Sequence, residues 1–97
     1  MFARITALQF VSDQADQGFD IVQHSVVPTI KEQGGFKGLL LLRDPETGSA
    51  TTVTLWEAEA DMEASATGNY PVQLAKLQGL LAAPPTRHIY EVKEVSL

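Results

Sequence analysis

Cysteine is absent from the 97 residues, which excludes a disulfide framework, a thiolate metal site and a cysteine nucleophile. A small secreted domain usually needs such staples, so an intracellular, cytoplasmic setting is the expectation. Basic charge is scarce as well. Seven Lys plus Arg stand against twelve Asp plus Glu, a net charge of −5, and no basic run is long enough to neutralise several phosphates, so nucleic acid is not an expected partner. Long apolar runs are missing too. The longest, Leu39 to Leu42, is far too short to cross a bilayer, and Met1-Phe2-Ala3-Arg4 lacks a basic segment followed by an apolar one. A soluble, unprocessed chain without a membrane partner is expected.

Metal chemistry finds little to work with. His24 and His88 lie far apart, there is no H-x-H, H-x-x-x-H or E-x-x-H, and Asp61 and Glu63 sit two apart on a predicted helix, facing different sides. No serine stands in a G-x-S-x-G context. Gly34-Gly35-Phe36-Lys37-Gly38 follows a helix and enters a strand, the reverse of what a phosphate loop requires. The reading is no metal.

What is present is an ordinary globular composition, 44% hydrophobic and 20% charged, in a length that suits one domain over residues 1–97. A folded monomer of this mass exposes roughly 5,400 Å². Residues 2–11 carry β-branched and aromatic residues without Gly or Pro and read as a strand. From about Asp13 to Gln33, Phe19, Val22, Val26 and Ile30 recur at three and four, one buried helical face, ended by Gly34-Gly35. Pro28 inside that pattern removes the bond to the His24 carbonyl and predicts a kink. Residues 36–43 and 49–57 read as a hairpin around Asp44-Pro45-Glu46-Thr47-Gly48. Glu59 to Thr67 reads as a helix stopped at Gly68-Asn69. Tyr70, Leu74, Leu77 and Leu81 line a second helix that Pro84-Pro85 end, and residues 86–95 form the last strand.

The order βαββαβ predicts an α+β, ferredoxin-like fold with a four-stranded antiparallel sheet and its helices on one face. The other face is the informative one. The second strand alternates Phe36, Leu40 and Leu42 with Leu39 and Leu41. The first sets Phe2, Leu8 and Phe10 against Ala3, Ile5 and Ala7. Neither side is clearly polar, so neither is expected to face water. The chain has no spare element to cover the second face, and a second copy packed sheet to sheet is the simplest cover. A homodimer is therefore expected.

Several residues could carry chemistry. Trp56 shares the parity of Thr52 and Thr54. It is either an aromatic wall of a ligand pocket, with its indole N–H as a donor, or a core residue under the second helix. His88 and Tyr90 share one face of the last strand. There they could shuttle a proton from a phenolic or enolic substrate, or stand in water and at a dimer seam. Arg4 and Thr6 interrupt an apolar strand, and a buried guanidinium needs either a carboxylate (Glu57, Glu91 or Glu94) or a bound anion, the ion pair being the readier choice. His24 falls off the apolar stripe of its helix, towards solvent or a partner subunit.

Phe2-Ala3-Arg4 in the first strand, Val27-Pro28 in the first helix, Gly34-Gly35-Phe36-Lys37-Gly38 entering an apolar strand, and Thr54-Leu55-Trp56-Glu57 before a helix together resemble the antibiotic-biosynthesis-monooxygenase-like (ABM-like) domains of the dimeric α+β barrel superfamily. That resemblance spans nearly the whole chain and implies a dimeric barrel. Similar domains include cofactor-independent oxygenases of polycyclic phenols, haem-degrading enzymes, isomerases of small acids and proteins without known activity. Haem-degrading relatives carry a Trp on the helix after the Trp-containing strand, a ligating His on the next helix and an Asn in the first strand. Glu59 to Gly68 has no aromatic, Tyr70 to Ala82 no His and the first strand no Asn, so that route is disfavoured. The phenol-oxidising relatives surround their substrate with Asn, Trp and Tyr, residue types that Asn69, Trp56 and Tyr70 supply.

The resemblance thus implies oxygenation, without a cofactor, of a small hydrophobic, aromatic or polyketide-like molecule. Tyr90 or His88 would be the base and Arg4 the partner of the anion, with Trp56, Tyr70, Asn69 and Thr6 around the substrate. The alternative is a non-catalytic, small-molecule-binding or stress-associated barrel in which these residues are packing.

Overall fold

The computed structural model describes residues 1–97 as β1 (Phe2–Leu8), α1 (Ala15–Ile21), a π-helical segment (Val22–Val26), α2 (Val27–Lys31), β2 (Phe36–Arg43), β3 (Ala50–Trp56), α3 (Glu59–Gly68), α4 (Tyr70–Ala75) and β4 (Thr86–Glu91). The four strands form one antiparallel sheet in the order β2-β3-β1-β4, so the α+β, ferredoxin-like arrangement is realised. The central pair is in plain register, Phe2 opposite Trp56, Arg4 opposite Thr54, Thr6 opposite Thr52 and Leu8 opposite Ala50. Side chains alternate across a sheet, so these eight residues share one face, and the helices lie on it.

The first helical stretch carries a π segment where Pro28 predicts a kink. Pro28 has no N–H to give the His24 carbonyl, and the chain absorbs the loss over the preceding turn, which widens into a π segment with Pro28 in the first turn of α2. Val22 and Val26 of that segment are buried, so the widening keeps the apolar stripe on the sheet. Gly35, at φ +78, turns the chain into β2, and a side chain there would collide with Asp61. In the β2–β3 hairpin the Asp44 carboxylate accepts the backbone N–H groups of Glu46 (2.8 Å) and Thr47 (3.2 Å), and Gly48 takes φ +74. Those two hydrogen bonds hold the Asp44 carboxyl below its ordinary pKa.

Four expectations are corrected in detail. β1 ends at Leu8, and Phe10 instead bridges to Leu81 and meets Phe19 edge-on at 5.6 Å. Phe36 does not share the side of Leu40 and Leu42, because the register shifts between Phe36 and Gly38 and returns its ring to the helix face, edge-on to Trp56 at 5.9 Å. α4 stops at Ala75, so Leu77 and Leu80 reach the core from turns and Leu81 lies outside the helix. β4 closes at Glu91, short of Val95.

The core is small. Leu8, Phe10, Val22, Val26, Ala50, Leu77 and Leu80 form its buried cluster, and the accessible surface of 5951 Å² exceeds the roughly 5,400 Å² of a compact monomer of this size. Part of the excess lies on the sheet face without helices. Leu40, Leu42 and Tyr90 are exposed there, beside Ile5, Val53 and Leu55.

Candidate functional site

Between the sheet and its helices the packing is incomplete. The floor of the resulting cavity is a row of β1 and β3 residues, Arg4, Thr6, Thr52, Thr54 and Trp56, the π segment supplies Val22 and Val26, and α3, α4 and the junction between them supply Ser65, Tyr70, Gln73 and Asn69. Space for water centres amounts to about 60 Å³. One ordered water needs about 10–15 Å³ on that measure, so the cavity takes several waters or a small ligand. The walls are mostly apolar with a few polar groups converging, the usual make-up of a small-molecule site.

Trp56 is both things the sequence allowed: fully buried and a wall of the cavity. Its indole N–H donates to Thr54 Oγ1 at 3.0 Å, and the Thr54 hydroxyl in turn donates to the Arg4 carbonyl at 3.4 Å. This short chain fixes the ring against β1.

Arg4 is the unusual group. It is 5% exposed, its Nη2 donates to the Met62 carbonyl at the start of α3, and its guanidinium lies 5.9 Å from the Trp56 ring centre. Its Nε is buried without any partner. The ion pair favoured on sequence grounds does not form, and the carboxylates expected to supply it have other partners at the surface. Glu57 pairs with Lys37 at 2.7 Å and Glu91 with Lys93, while Glu94 accepts from Ser96. Desolvation, and then the charge of Arg87, lower the pKa of Arg4, while Tyr70 acts in the opposite direction. An arginine stays protonated regardless, so the cavity holds an uncompensated positive charge.

Arg87 stands opposite Thr6 in the β1–β4 ladder, hence on the same face as Arg4, and lies over the Tyr70 ring at 3.9 Å. No Asp, Glu or His is among the lining residues. A protein with net charge −5 thus keeps only positive charge around its cavity.

The structure gathers Arg4, Thr6, Trp56, Asn69 and Tyr70 around one cavity. It does not bring His88 and Tyr90 there. They do share a face, with rings 6.5 Å apart, but the register sets Ala3 opposite Tyr90 and Ile5 opposite His88. They therefore stand on the helix-free side, both exposed. Within the chain neither reaches a ligand beside Arg4. His24 is exposed and pairs with Asp20 at 3.1 Å.

Gln73 was not singled out by the sequence. It is buried, its Nε2 donates to Asn69 Oδ1 at 2.8 Å, and its Oε1 is left without a partner. The four-residue spacing of the two amides on one helical face was the available signal. Ser65, one turn before Asn69, lines the same wall. No group of three His, Cys, Asp or Glu side chains comes together anywhere in the chain, and no helix is long and apolar enough to cross a membrane.

No protein-family profile and no curated protein matches the chain. Solved structures do match over nearly its whole length. A Nitrosomonas europaea protein of unknown function superposes with a TM-score of 0.85 at 20% identity, covering 99% of this chain and 92% of that one. A Streptomyces coelicolor monooxygenase, solved in complex with nanaomycin D, gives 0.78 at 15% identity, covering 99% and 90%. The Streptomyces nogalater cofactor-independent oxygenase SnoaB gives 0.72 at 11% identity, covering 97% and 94%. The chain therefore has the ABM-like α+β fold.

Proposed function

We propose that the protein is a cytoplasmic homodimeric ABM-type barrel whose cavity binds a small aromatic or polyketide-like molecule with an ionisable oxygen and oxygenates it without a cofactor. The observation that carries the reading is Arg4: a cation 5% exposed, facing a mostly apolar cavity with no counter-charge. Such a group favours the ionised form of a phenol or enol, whose charge in water would be solvated instead. With Arg4 holding the anion and Arg87 adding positive charge from beyond the Tyr70 ring, the proton leaves to water at the mouth, or through the Tyr70 phenol, the one other titratable side chain of the lining. The electron-rich carbon of the anion then combines with O₂. At a CH₂ carbon flanked by aryl groups, one oxygen atom ends in a new carbonyl and the other leaves as water with the two hydrogens, so O₂ is the only oxidant required. Trp56 and the valines of the π segment keep bulk water from the carbanion.

His88 and Tyr90 are given no part as base on the same subunit's substrate. They belong in this proposal to the dimer seam, where the exposed Leu40, Leu42 and Tyr90 are covered by a second copy. Oxygen uptake with an anthrone as substrate tests the reaction, and Arg4→Met is expected to lower it at least about tenfold. A cavity that binds the anthrone with no uptake above the spontaneous rate would leave the second reading, a non-catalytic binding barrel. One observation favours that reading: the lining holds no carboxylate or imidazole base.

A further inference from the structure

Two buried polar atoms lack partners, the Arg4 Nε donor and the Gln73 Oε1 acceptor, and both residues line the same cavity. They are opposite in sense. One N–H needs an acceptor, best an anion, and one carbonyl oxygen needs a donor. A lone water satisfies either atom and leaves the Arg4 charge uncompensated. A neutral phenol gives Gln73 its donor, and again the charge remains. A simple carboxylate answers Arg4 and leaves Gln73 orphaned, which costs about as much as a lost hydrogen bond. Only a ligand that carries an ionised oxygen and a separate hydroxyl or N–H satisfies both.

From this complementarity we infer that the cavity selects small planar hydroxy acids or enolised β-dicarbonyls: an aromatic or conjugated anion whose charged oxygen meets Arg4 and whose neutral hydroxyl donates to Gln73 Oε1. The Asn69 Oδ1 takes the Gln73 amide N–H at 2.8 Å, and the Gln73 oxygen is the atom left without a partner. Arg87, above the Tyr70 ring, adds a second positive charge without occupying the lining. The inference deepens the proposed function by naming the substrate class of its site. It also stands apart from it, since selective binding does not require turnover.

Trp56 is the only tryptophan and a wall of the cavity, so its fluorescence reports occupancy directly. The probes are 3-hydroxybenzoate (anion and free donor), benzoate (anion alone) and 3-hydroxybenzamide (uncharged, with the donor), titrated into the full chain. The expected order of affinity is 3-hydroxybenzoate, then benzoate two- to about tenfold weaker, then the amide about ten- to a hundredfold weaker than the first. Gln73→Leu is expected to equalise the two anions and Arg4→Met to abolish their advantage over the amide. Arg87→Ala is expected to weaken both anions alike and leave the hydroxyl preference in place. Unfolding curves accompany each variant, and Arg4→Lys, which keeps the charge but not the Nε donor, serves should Arg4→Met fail to fold; it is expected to retain a reduced preference for the anions. An amide that binds as tightly as the hydroxy acid, or a Gln73→Leu variant that still prefers 3-hydroxybenzoate to benzoate, overturns the inference. The predicted selectivity without oxygen uptake from any bound compound sinks the oxygenase reading alone, and uptake from neutral phenols without charge selectivity sinks this one alone.

Discussion

The two faces of the sheet are built the wrong way round for an isolated soluble domain. The helix-covered face buries Arg4, Thr6, Thr52 and Thr54, side chains that water would solvate well, whereas the helix-free face exposes Leu40, Leu42 and Tyr90, side chains that water would not. Burying polar groups costs free energy unless each is paired, and exposing a contiguous apolar patch marks an interaction surface. One face is thus suited to a small polar molecule, the other to an apolar surface.

The largest effect is expected where the inner face is most closely packed. Trp56→Ala removes a fully buried ring that touches Phe36 and braces Thr54, and should cost about 3–5 kcal/mol, enough to leave the chain largely unfolded in denaturant titrations. A variant of near wild-type stability would mean that the inner face is not a core at all. Next comes the outer face. Leu40→Glu or Leu42→Glu should convert the proposed dimer, of about twice 10.5 kDa, into a folded monomer in sedimentation, with circular dichroism unchanged. A dimer of undiminished stability would contradict the seam. Leu41 makes the internal control, since it packs against the core from the helix side, and Leu41→Lys should unfold the chain rather than split it.

Arg4→Met is smaller and of opposite sign. Replacing a buried, unpaired charge by an apolar side chain of similar length should raise the stability of the ligand-free protein by about 1–3 kcal/mol, read as a higher Tm, while ligand affinity falls. A lower Tm would indicate a counter-charge that the geometry does not contain. The smallest effect belongs to Asp44, outside both faces. Its carboxyl pKa is depressed in the folded chain, so its contribution is present above the ordinary aspartate pKa and lost as the pH falls through the depressed value. Asp44→Ala should flatten the acid side of the stability profile slightly. A steeper acid slope would refute that sign.

How much of this the sequence revealed depends on whether a rule is local. The β2–β3 hairpin was legible because Asp44, Pro45 and Gly48 act within five residues, and the apolar stripe of Phe19, Val22, Val26 and Ile30 was legible from its period. The parity of Phe36 was not, since the register shift beside Lys37 leaves no mark in composition. His88 and Tyr90 could be assigned to one face, but which face follows from the β1–β4 ladder, a long-range register. The same holds for Arg4. That it is buried could be read from its strand, whereas its lack of a carboxylate follows from where Glu57 and Glu91 end up, beside Lys37 and Lys93 at the surface. Gln73 escaped notice because a glutamine on a helix is ordinary until its neighbours bury it.

The strand order β2-β3-β1-β4 also bears on synthesis. β1 is made first, yet its two neighbours are β3 and β4, and Phe2 must find Trp56 on one side and Glu91 on the other. An emerging chain therefore carries its central strand with both edges open until Trp56 is made and with one edge open until Glu91 is joined, and pairings this distant close slowly. During that interval Phe2-Ala3-Arg4-Ile5-Thr6-Ala7-Leu8 is a bare strand able to pair with another nascent chain. Arg4, the one charged residue in that segment, is then a guard against such pairing before it is anything else, and its removal would be felt first as a lower yield of folded protein.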